Sequence, residues 1–281
     1  MFNPLKIFLI GFFYLVIFSS LTYSAQQITG EFGVKTTLRI CADPNNLPYS
    51  NQDKEGYENK IADLFAKKLG NIPVVYSWYP MTSGFVRRTL NAKTCDLIIT
   101  FPAIHEFVQN SNPFYNSSYV MMTLEEKDIN AQTLSDHEIK EKNYKIGVIH
   151  ATPPSSHIAK NSLFEQVKFY KQAADPRKEK PWTDMTNDLI DGKLDIAILW
   201  GPLGGYEASQ AKKSIRIVPL TKEGKVGRGK MVYRFTMGIR KNEPEWEKTI
   251  NNLIKENQEE INNILREYGI PLLDNLGNPL K

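Results

Sequence analysis

The sequence has few of the residues that build metal and catalytic centres, with two cysteines and four histidines among 281 residues. His150 and His157 stand on either side of a turn with two prolines, which is not a metal-ligand spacing. His105 and Glu106 form an isolated acid–base pair, a weak signal for catalysis. The remaining histidines are typical of surfaces and loops. We therefore predict no metal, no cofactor and no enzymatic activity.

Neither sign of charge dominates, since the sequence has 35 Lys and Arg residues and 31 Asp and Glu residues, which gives a net charge of +4. A small excess spread over the chain excludes a nucleic-acid interface. The sequence also has one long apolar run, Ile7 to Phe18, which follows Lys6 and precedes small residues. A run of about a dozen is too short for a mature membrane span. We predict a secretory signal at residues 1–25, with an uncleaved anchor as the alternative, and no membrane anchor after cleavage.

Both cysteines lie beyond this leader, and export permits a disulfide between Cys41 and Cys95. Such a bridge would close a loop of roughly 50 residues and stabilise the fold by about 4 kcal/mol. Cys41 ends one predicted strand and Cys95 begins another, so the strand register decides whether the sulfurs meet. Two free buried thiols are the alternative.

The chain from Cys41 to Gly70 reads as a strand end, a proline-stiffened loop and an amphipathic helix. Strands and helices alternate β-α-β-α-β over residues 37–101, with the second helix capped by Thr82 and Ser83, and right-handed crossovers would make the strands parallel. The same alternation returns over residues 144–200, where a helix is expected to start near His157 after a turn. One continuous helix is predicted from Trp246 to Tyr268.

This order predicts an α/β protein of two lobes with helices flanking mixed sheets. We place the first part of lobe 1 at residues 36–126 and lobe 2 at residues 127–230. Residues 231–281 form a return strand and a C-terminal helix that packs on lobe 1.

Ligands in open α/β sheets bind beyond the carboxyl ends of the strands. The residues predicted at or just beyond those ends, and hence at a cleft between the lobes, are Asn45, Asn46, Tyr49, Phe101, Pro102, Thr152, Trp200 and Gly201. Aromatic rings there would cover a flat ligand or anchor a partner's side chain, and the asparagines offer hydrogen bonds. Packing within the loops is the alternative role for each of them.

Four long motifs carry a family resemblance: CADPNNLPYSN at 41–51, GYENKIADLFAKKLG at 56–70, GFVRRTLNAKTCDLI at 84–98 and LDIAILWGPLGGYEA at 194–208. They resemble the methanol-dehydrogenase-associated members, the MoxJ/XoxJ type, of the family 3 solute-binding proteins. The resemblance implies a type II periplasmic binding-protein fold with a hinge between its lobes. It also implies a soluble periplasmic protein that assists assembly, activation or maturation of a PQQ-dependent methanol dehydrogenase and does not itself carry PQQ. The cytochrome c of that enzyme is a second implied partner.

The sequence departs from the amino-acid-binding pattern of that fold. The segment PAIHEFVQN contains no arginine for a ligand carboxylate, and Gly201 and Pro202 stand where an acidic residue would hold the ligand ammonium. A zwitterion without these partners would lose its hydration uncompensated. A free amino acid is therefore disfavoured. The alternative function is a transporter receptor for another kind of small molecule.

Overall fold

The computed structural model describes residues 29–30, 33–103, 106–173, 175, 177–227 and 229–280. The predicted signal at 1–25 and His105 lie outside these ranges. The strands are β1 (Thr29–Gly30), β2 (Gly33–Val34), β3 (Leu38–Ala42), β4 (Asn45–Asn46), β5 (Ser50–Asn51), β6 (Val74–Trp78), β7 (Ile98–Pro102), β8 (Gln109–Asn110), β9 (Tyr115–Leu124), β10 (Ile146–Ile149), β11 (Val167–Tyr170), β12 (Ile196–Trp200), β13 (Ile215–Pro219) and β14 (Val232–Ile239). The helices are α1 (Tyr57–Lys68), α2 (Phe85–Arg88), α3 (His137–Glu141), α4 (Pro153–Lys160), α5 (Pro181–Ile190), α6 (Gly201–Gln210), α7 (Pro244–Glu256) and α8 (Gln258–Glu267).

The first lobe is organised by β3, which lies between β6 and the start of β7. Strands β3 and β6 are parallel, with Leu38 opposite Val74, and Ile40 forms a parallel bridge to Leu97. The parallel β-α-β-α-β order predicted for this part is therefore confirmed. Apolar residues at helical spacing on α1 drive its packing, since Tyr57, Ile61 and Phe65 are fully buried against this sheet.

Two strands pass between the lobes. The first half of β9 pairs with β14, while its second half pairs with β12 on one side and β13 on the other. Accordingly, Tyr115 belongs to the first-lobe core and Met121 to the second-lobe core. On β14, Phe235 lies in the first-lobe core, and the preceding Met231 lies in the second. The exact lobe ranges given above stay predictions, but the chain exchanges lobes along these two strands.

In the second lobe, β10 lies between β11 and β12, and all three are parallel. Separate cores cover the two faces of this sheet, one around Ile146 and Val148, the other around Val120 and Leu199. A sheet covered on both faces explains why these strands read as continuous apolar runs. The predicted two-lobed α/β fold with helices flanking mixed sheets is thus confirmed.

The C-terminal helices pack in the first lobe, where Ile250 and Ile261 share a core with Leu38 and α1. The prediction of one continuous closing helix is wrong, because α7 ends at Glu256 and α8 begins at Gln258. Asn257 is buried between them, and its side-chain amide donates to the carbonyl of Leu253. An asparagine that bonds its own preceding turn competes with the helical backbone pattern.

Three local predictions also fail. Helix α4 begins at Pro153 instead of near His157, as proline suits the first turn of a helix. Helix α2 spans one turn and starts after Gly84, so neither Thr82 nor Ser83 caps it. His157 is not a surface or loop residue but is fully buried on α4, where its Nδ1 lies 3.1 Å from Glu223.

Helix α6 forms although its sequence is rich in glycine and proline. A Cβ on Gly205 would lie 1.9 Å from the carbonyl oxygen of Gly269, so α6 approaches the end of α8 at a distance that only glycine allows. This contact joins α6, which follows β12, to the end of the first-lobe helix α8, and neither glycine lines the cleft described below. Within the described part of the chain, no helix has the length and apolar character needed to cross a membrane.

Candidate functional site

A cleft of about 690 Å³ lies between the lobes. Its walls come from the loops that follow β4, β6, β10 and β11, from the ends of β4, β7, β10 and β12, and from parts of β9, β14, α1, α5 and α6. The lining residues are Asn46, Tyr49, Glu58, Met81, Thr82, Ser83, Thr100, Phe101, Pro102, Tyr119, Ile149, Thr152, Gln172, Ala173, Pro181, Trp182, Leu199, Trp200, Leu203 and Phe235. The cleft is thus largely aromatic and apolar, with a few polar groups, as small-molecule sites commonly are.

The first-lobe wall is held in shape by a buried aspartate. One carboxylate oxygen of Asp43 accepts from the backbone N–H of Asn45 at 2.9 Å, and the other accepts from that of Met81 at 2.6 Å. The hydroxyl of Ser50 donates to the carbonyl of Asp43 at 2.9 Å. These bonds tie the loop after β3 to the loop after β6 and fix the turn that carries Tyr49.

That turn lies directly on the N-terminus of α1. The backbone N–H groups of Tyr57 and Glu58 donate to the carbonyls of Pro48 and Tyr49, each at 2.9 Å. A Cβ on Gly56 would lie 2.1 Å from the carbonyl oxygen of Tyr49, so only glycine permits this approach. The loop therefore satisfies N–H groups that a helix start leaves unpaired.

The two walls meet at one hydrogen bond. The indole Nε1–H of Trp200, at the end of β12, donates to the hydroxyl of Tyr49 at 2.9 Å. The Trp200 ring also contacts Tyr119 and Phe235, with centroids 5.5 Å away in each case. Burial raises the pKa of Tyr49 far above its usual value, so its hydroxyl stays neutral and accepts this bond.

The structure brings six of the eight predicted cleft residues to this surface: Asn46, Tyr49, Phe101, Pro102, Thr152 and Trp200. The Thr152 hydroxyl donates to the carbonyl of Ile149 at 2.6 Å, which leaves its lone pairs for a ligand. What these residues bind stays a prediction.

Two predicted residues lie outside the cleft. Asn45 is exposed at the open end of the β4–β5 hairpin, where it pairs with Asn51. Gly201 is buried at the start of α6, where a Cβ would lie 2.3 Å from the carbonyl oxygen of Ser118. Close packing against β9, rather than contact with a ligand, accounts for this glycine.

Sequence reasoning missed Glu58, which lines the cleft from the first turn of α1. Its side chain is nearly inaccessible, with the residue 1% exposed, and its Oε1 has no hydrogen-bond partner among the described residues. Burial raises the pKa of Glu58 to about 7, and the hydroxyls of Thr100 and Ser50 offset part of this effect. An acidic residue in the first turn of a helix is explained by the favourable charge at that helix end, so its position alone did not indicate a place at the cleft.

The cleft carries little other charge. Glu58 carries the sole carboxyl among the described lining residues, and no Lys or Arg is among them. Arg177, which lies near enough to Asp43 to interact electrostatically, is engaged by Asp175 through bonds of 2.8 and 2.6 Å. The part of the cleft that the structure describes therefore offers a ligand carboxylate no guanidinium.

Cys41 and Cys95 form a disulfide beneath the first-lobe wall, with their Cα atoms 5.3 Å apart. The neighbouring Asp96 is buried and accepts from Arg39 at 2.8 and 2.6 Å and from Arg240 at 2.6 Å. These partners hold the pKa of Asp96 at about 2, although burial alone would raise it.

Metal and catalytic signals are weak within the described ranges. No group of three or more His, Cys, Asp or Glu residues there could hold a metal ion. Of the predicted acid–base pair, Glu106 is exposed, and His105 falls outside what the structure describes.

Two α/β lobes joined by crossing strands, with an aromatic cleft at the strand ends, define a solute-binding protein of the two-lobed type. The chain belongs to the bacterial extracellular solute-binding proteins, family 3, whose model matches residues 38–270. The expected family is thereby confirmed.

Its relatives include proteins of the MoxJ and XoxJ type. Protein MoxJ of Methylorubrum extorquens is 28% identical over 248 residues, which cover 84% of this chain and 82% of the relative. The periplasmic binding protein XoxJ of Methylobacterium extorquens AM1 is 34% identical, with a TM-score of 0.69 over 84% of this chain and 99% of that one. MxaJ of Methlophaga aminisulfidivorans MPT shares the fold at 20% identity and a TM-score of 0.70, over 84% of this chain and 100% of that one.

Proposed function

We propose that this protein is a periplasmic accessory protein that assists the assembly, activation or maturation of a PQQ-dependent methanol dehydrogenase. The four motifs that resemble the methanol-dehydrogenase-associated type support this, as does the similarity to MoxJ and XoxJ over most of the chain. Export through the leader at residues 1–25 agrees with the periplasmic description that the XoxJ structure carries. The cytochrome c of the same system is a second candidate partner.

One observation carries the proposal: the family's cleft is retained, but its lining suits a side chain of a partner better than a free amino acid. Trp200, Tyr119 and Phe235 form a contiguous aromatic surface with centroid distances of 5.5 Å. Buried aromatic groups of this kind anchor protein interfaces. Among the described lining residues, a free amino acid would meet no guanidinium for its carboxylate.

The same geometry couples binding to lobe movement. Tyr49 and Trp200 come from opposite lobes, and their bond closes the cleft. A segment of the dehydrogenase that enters the cleft would replace this bond and shift the balance between closed and open lobes. The crossing strands β9 and β14 are the hinge in this proposal.

Capture of the dehydrogenase from periplasmic extract tests the proposal. We expect the wild-type chain to retain the enzyme and the Tyr49→Ala/Trp200→Ala variant to retain at least tenfold less, since central aromatic anchors each contribute about 2 kcal/mol or more. Phe164→Ala is the matched control, because Phe164 is an exposed aromatic outside the cleft. Equal capture by all three proteins would contradict the cleft as the binding surface, and no capture by the wild type would contradict the partner.

A transporter receptor for a small ligand other than an amino acid is the second candidate. The cleft volume of about 690 Å³ favours it, because small-molecule sites commonly measure about 300–1,000 Å³. Deleting the gene separates the two: lost methanol dehydrogenase activity in the periplasm supports the accessory role, while unchanged activity with impaired uptake of a solute supports the receptor.

A further inference from the structure

The least explained group in the cleft is the carboxyl of Glu58. Its Oε1 is inaccessible to solvent and lacks a hydrogen-bond partner among the described residues, although Thr100 and Ser50 lie close by. An unpaired buried acceptor has lost its hydration without gaining a partner, and the cost is larger when the acceptor is charged. A native fold keeps such a group most readily where a ligand supplies the missing donor.

The fold secures the position of this carboxyl. The backbone N–H of Glu58 is bonded to the carbonyl of Tyr49, and Gly56 permits the close contact beneath that bond. Glu58 also lies at a helix N-terminus, where a negative charge is favoured. Its carboxyl is therefore presented to the cleft from a part of the wall that has little freedom to move.

The surroundings favour a cation as the missing donor. Tyr49, Trp200, Tyr119 and Phe235 line the same cleft, and the faces of aromatic rings attract positive charge. The described lining residues contribute no Lys or Arg that would compete for the carboxylate. An ammonium would both donate to the carboxylate of Glu58 and neutralise its charge, whereas with a neutral ligand the buried carboxyl would have to take up a proton instead.

We propose that the cleft of this protein binds a primary ammonium group, with an N–H of the amine donating to Glu58 and the charge enclosed by the aromatic residues. An amine without a carboxylate beside it suits a cleft whose described lining holds a carboxyl and no guanidinium. Two sources share this chemistry, a free alkylamine and the side chain of a lysine on the partner. Only the second source rests on the proposed function.

Tryptophan fluorescence of the wild-type chain, titrated with butylammonium, 1-butanol and trimethylbutylammonium, tests the proposal, since Trp200 reports on the cleft. We expect butylammonium to bind at least about tenfold more tightly than butanol, because hydrogen bonds to charged groups contribute about 1.5–3 kcal/mol. Trimethylbutylammonium, which keeps the charge but has no N–H, should fall between them. Butanol that binds as well as butylammonium, or no detectable binding of any of the three, would overturn the proposal.

The variant Glu58→Gln should lose the preference for butylammonium over butanol, and Glu165→Gln, at an exposed carboxyl outside the cleft, should keep it.

The pH dependence of butylammonium binding by the wild type supplies a readout that does not require the variant to fold. The charged or titratable groups that face Glu58 are Asp43 on its loop and the hydroxyls of Tyr49, Tyr57, Tyr76 and Tyr115. Burial raises the pKa of each tyrosine, so these hydroxyls stay neutral near pH 7.

Because burial raises the pKa of Glu58 to about 7, the wild type should bind butylammonium about tenfold more weakly at pH 6 than at pH 8. A flat profile would contradict an ionised Glu58 as the acceptor.

Dehydrogenase capture then distinguishes the two sources of the ammonium group: loss of capture in Glu58→Gln identifies a lysine side chain, and unchanged capture identifies a free amine. If the wild type captures no dehydrogenase, the proposed function fails, while the amine titration still decides the inference.

Discussion

The two walls of the cleft are built in different ways. The first-lobe wall rests on the Cys41–Cys95 disulfide, the buried Asp96 cluster and the Asp43 bonds that fix its loop. The second-lobe wall has no cysteine and is held by β12, α4 and α5, with aromatic and aliphatic side chains facing the cleft. The carboxyl of Glu58 thus lies in the first lobe, which we call the braced lobe because the disulfide and these buried aspartates hold it, and the apolar side chains around Trp200 lie in the second lobe. We therefore expect the first lobe to bind first and the second to close over the ligand.

Removing the disulfide should have the largest effect on the difference between the lobes, because it destabilises only the first lobe. The bridge joins residues 54 positions apart and lies only in the first lobe. Its loss should lower the free energy of unfolding by about 4 kcal/mol in the chain-entropy model. Urea unfolding of the wild type with and without reductant measures the change, with the Cys41→Ala/Cys95→Ala variant as a control that reductant should not affect. Equal midpoints for the oxidised and reduced wild type would show that the bridge does not brace the lobe.

The second prediction compares one carboxylate from each lobe. Asp96 is buried, and Asp96→Asn should cost about 3 kcal/mol because Arg39 and Arg240 lose their charge partner. Asp188 on α5 pairs with Lys168 and Lys193, both exposed, so Asp188→Asn should cost no more than about 1 kcal/mol. Chemical denaturation of both variants gives the two losses in the free energy of unfolding. A larger loss for Asp188→Asn than for Asp96→Asn would show that the second lobe, and not the first, is the braced one.

The pH dependence of stability tests the cleft carboxyl itself. Burial raises the pKa of Glu58 to about 7 in the fold, while an unfolded chain returns it to about 4.3. The folded state therefore binds more protons between these values, and its stability is present below the lower pKa and lost as pH rises through 7. Between pH 5 and 8 the wild type should lose about 2.5 kcal/mol relative to Glu58→Gln.

Thermal or urea unfolding at several pH values measures this difference, and subtraction of the Glu58→Gln curve removes every contribution that the two proteins share. Glu165→Gln should follow the wild type because that carboxyl is exposed. Parallel curves for the wild type and Glu58→Gln would place Glu58 in contact with water and remove the reason for its proposed role.

Much of the fold follows from periodicity, and the exceptions have tertiary causes. The helical spacing of apolar residues on α1 and the apolar runs at β7 and β12 predicted the two lobes and six of the cleft residues. The break at Asn257 interrupts an apolar pattern that continues on both sides, and only the side-chain bond to Leu253 explains it. Helix α6 forms despite its glycines, because the close approach of Gly205 to Gly269 requires glycine at that position.

The central omission at the cleft was Glu58. Helical spacing places it next to the buried Tyr57 on α1, but spacing cannot say that the loop carrying Tyr49 folds onto this helix end. That contact depends on Gly56 and on the bonds of Asp43, which join segments far apart in the sequence. A glycine immediately before the helix was the one local sign of a close approach.

The smallest expected effect concerns the bond between the two walls. Tyr49→Phe keeps the ring but removes the acceptor for the indole of Trp200, so it should cost about 1 kcal/mol and favour the open lobes. Small-angle scattering should show a larger radius of gyration, and Trp200 fluorescence should shift to the red as its indole meets water. Tyr206→Phe is the matched control, because the Tyr206 ring stacks on Tyr268 behind the cleft at 6.3 Å. If Tyr49→Phe leaves scattering and fluorescence unchanged, the lobes are held by the contact of α6 with Gly269 and not by Trp200, and closure over a ligand would then have to begin at that contact.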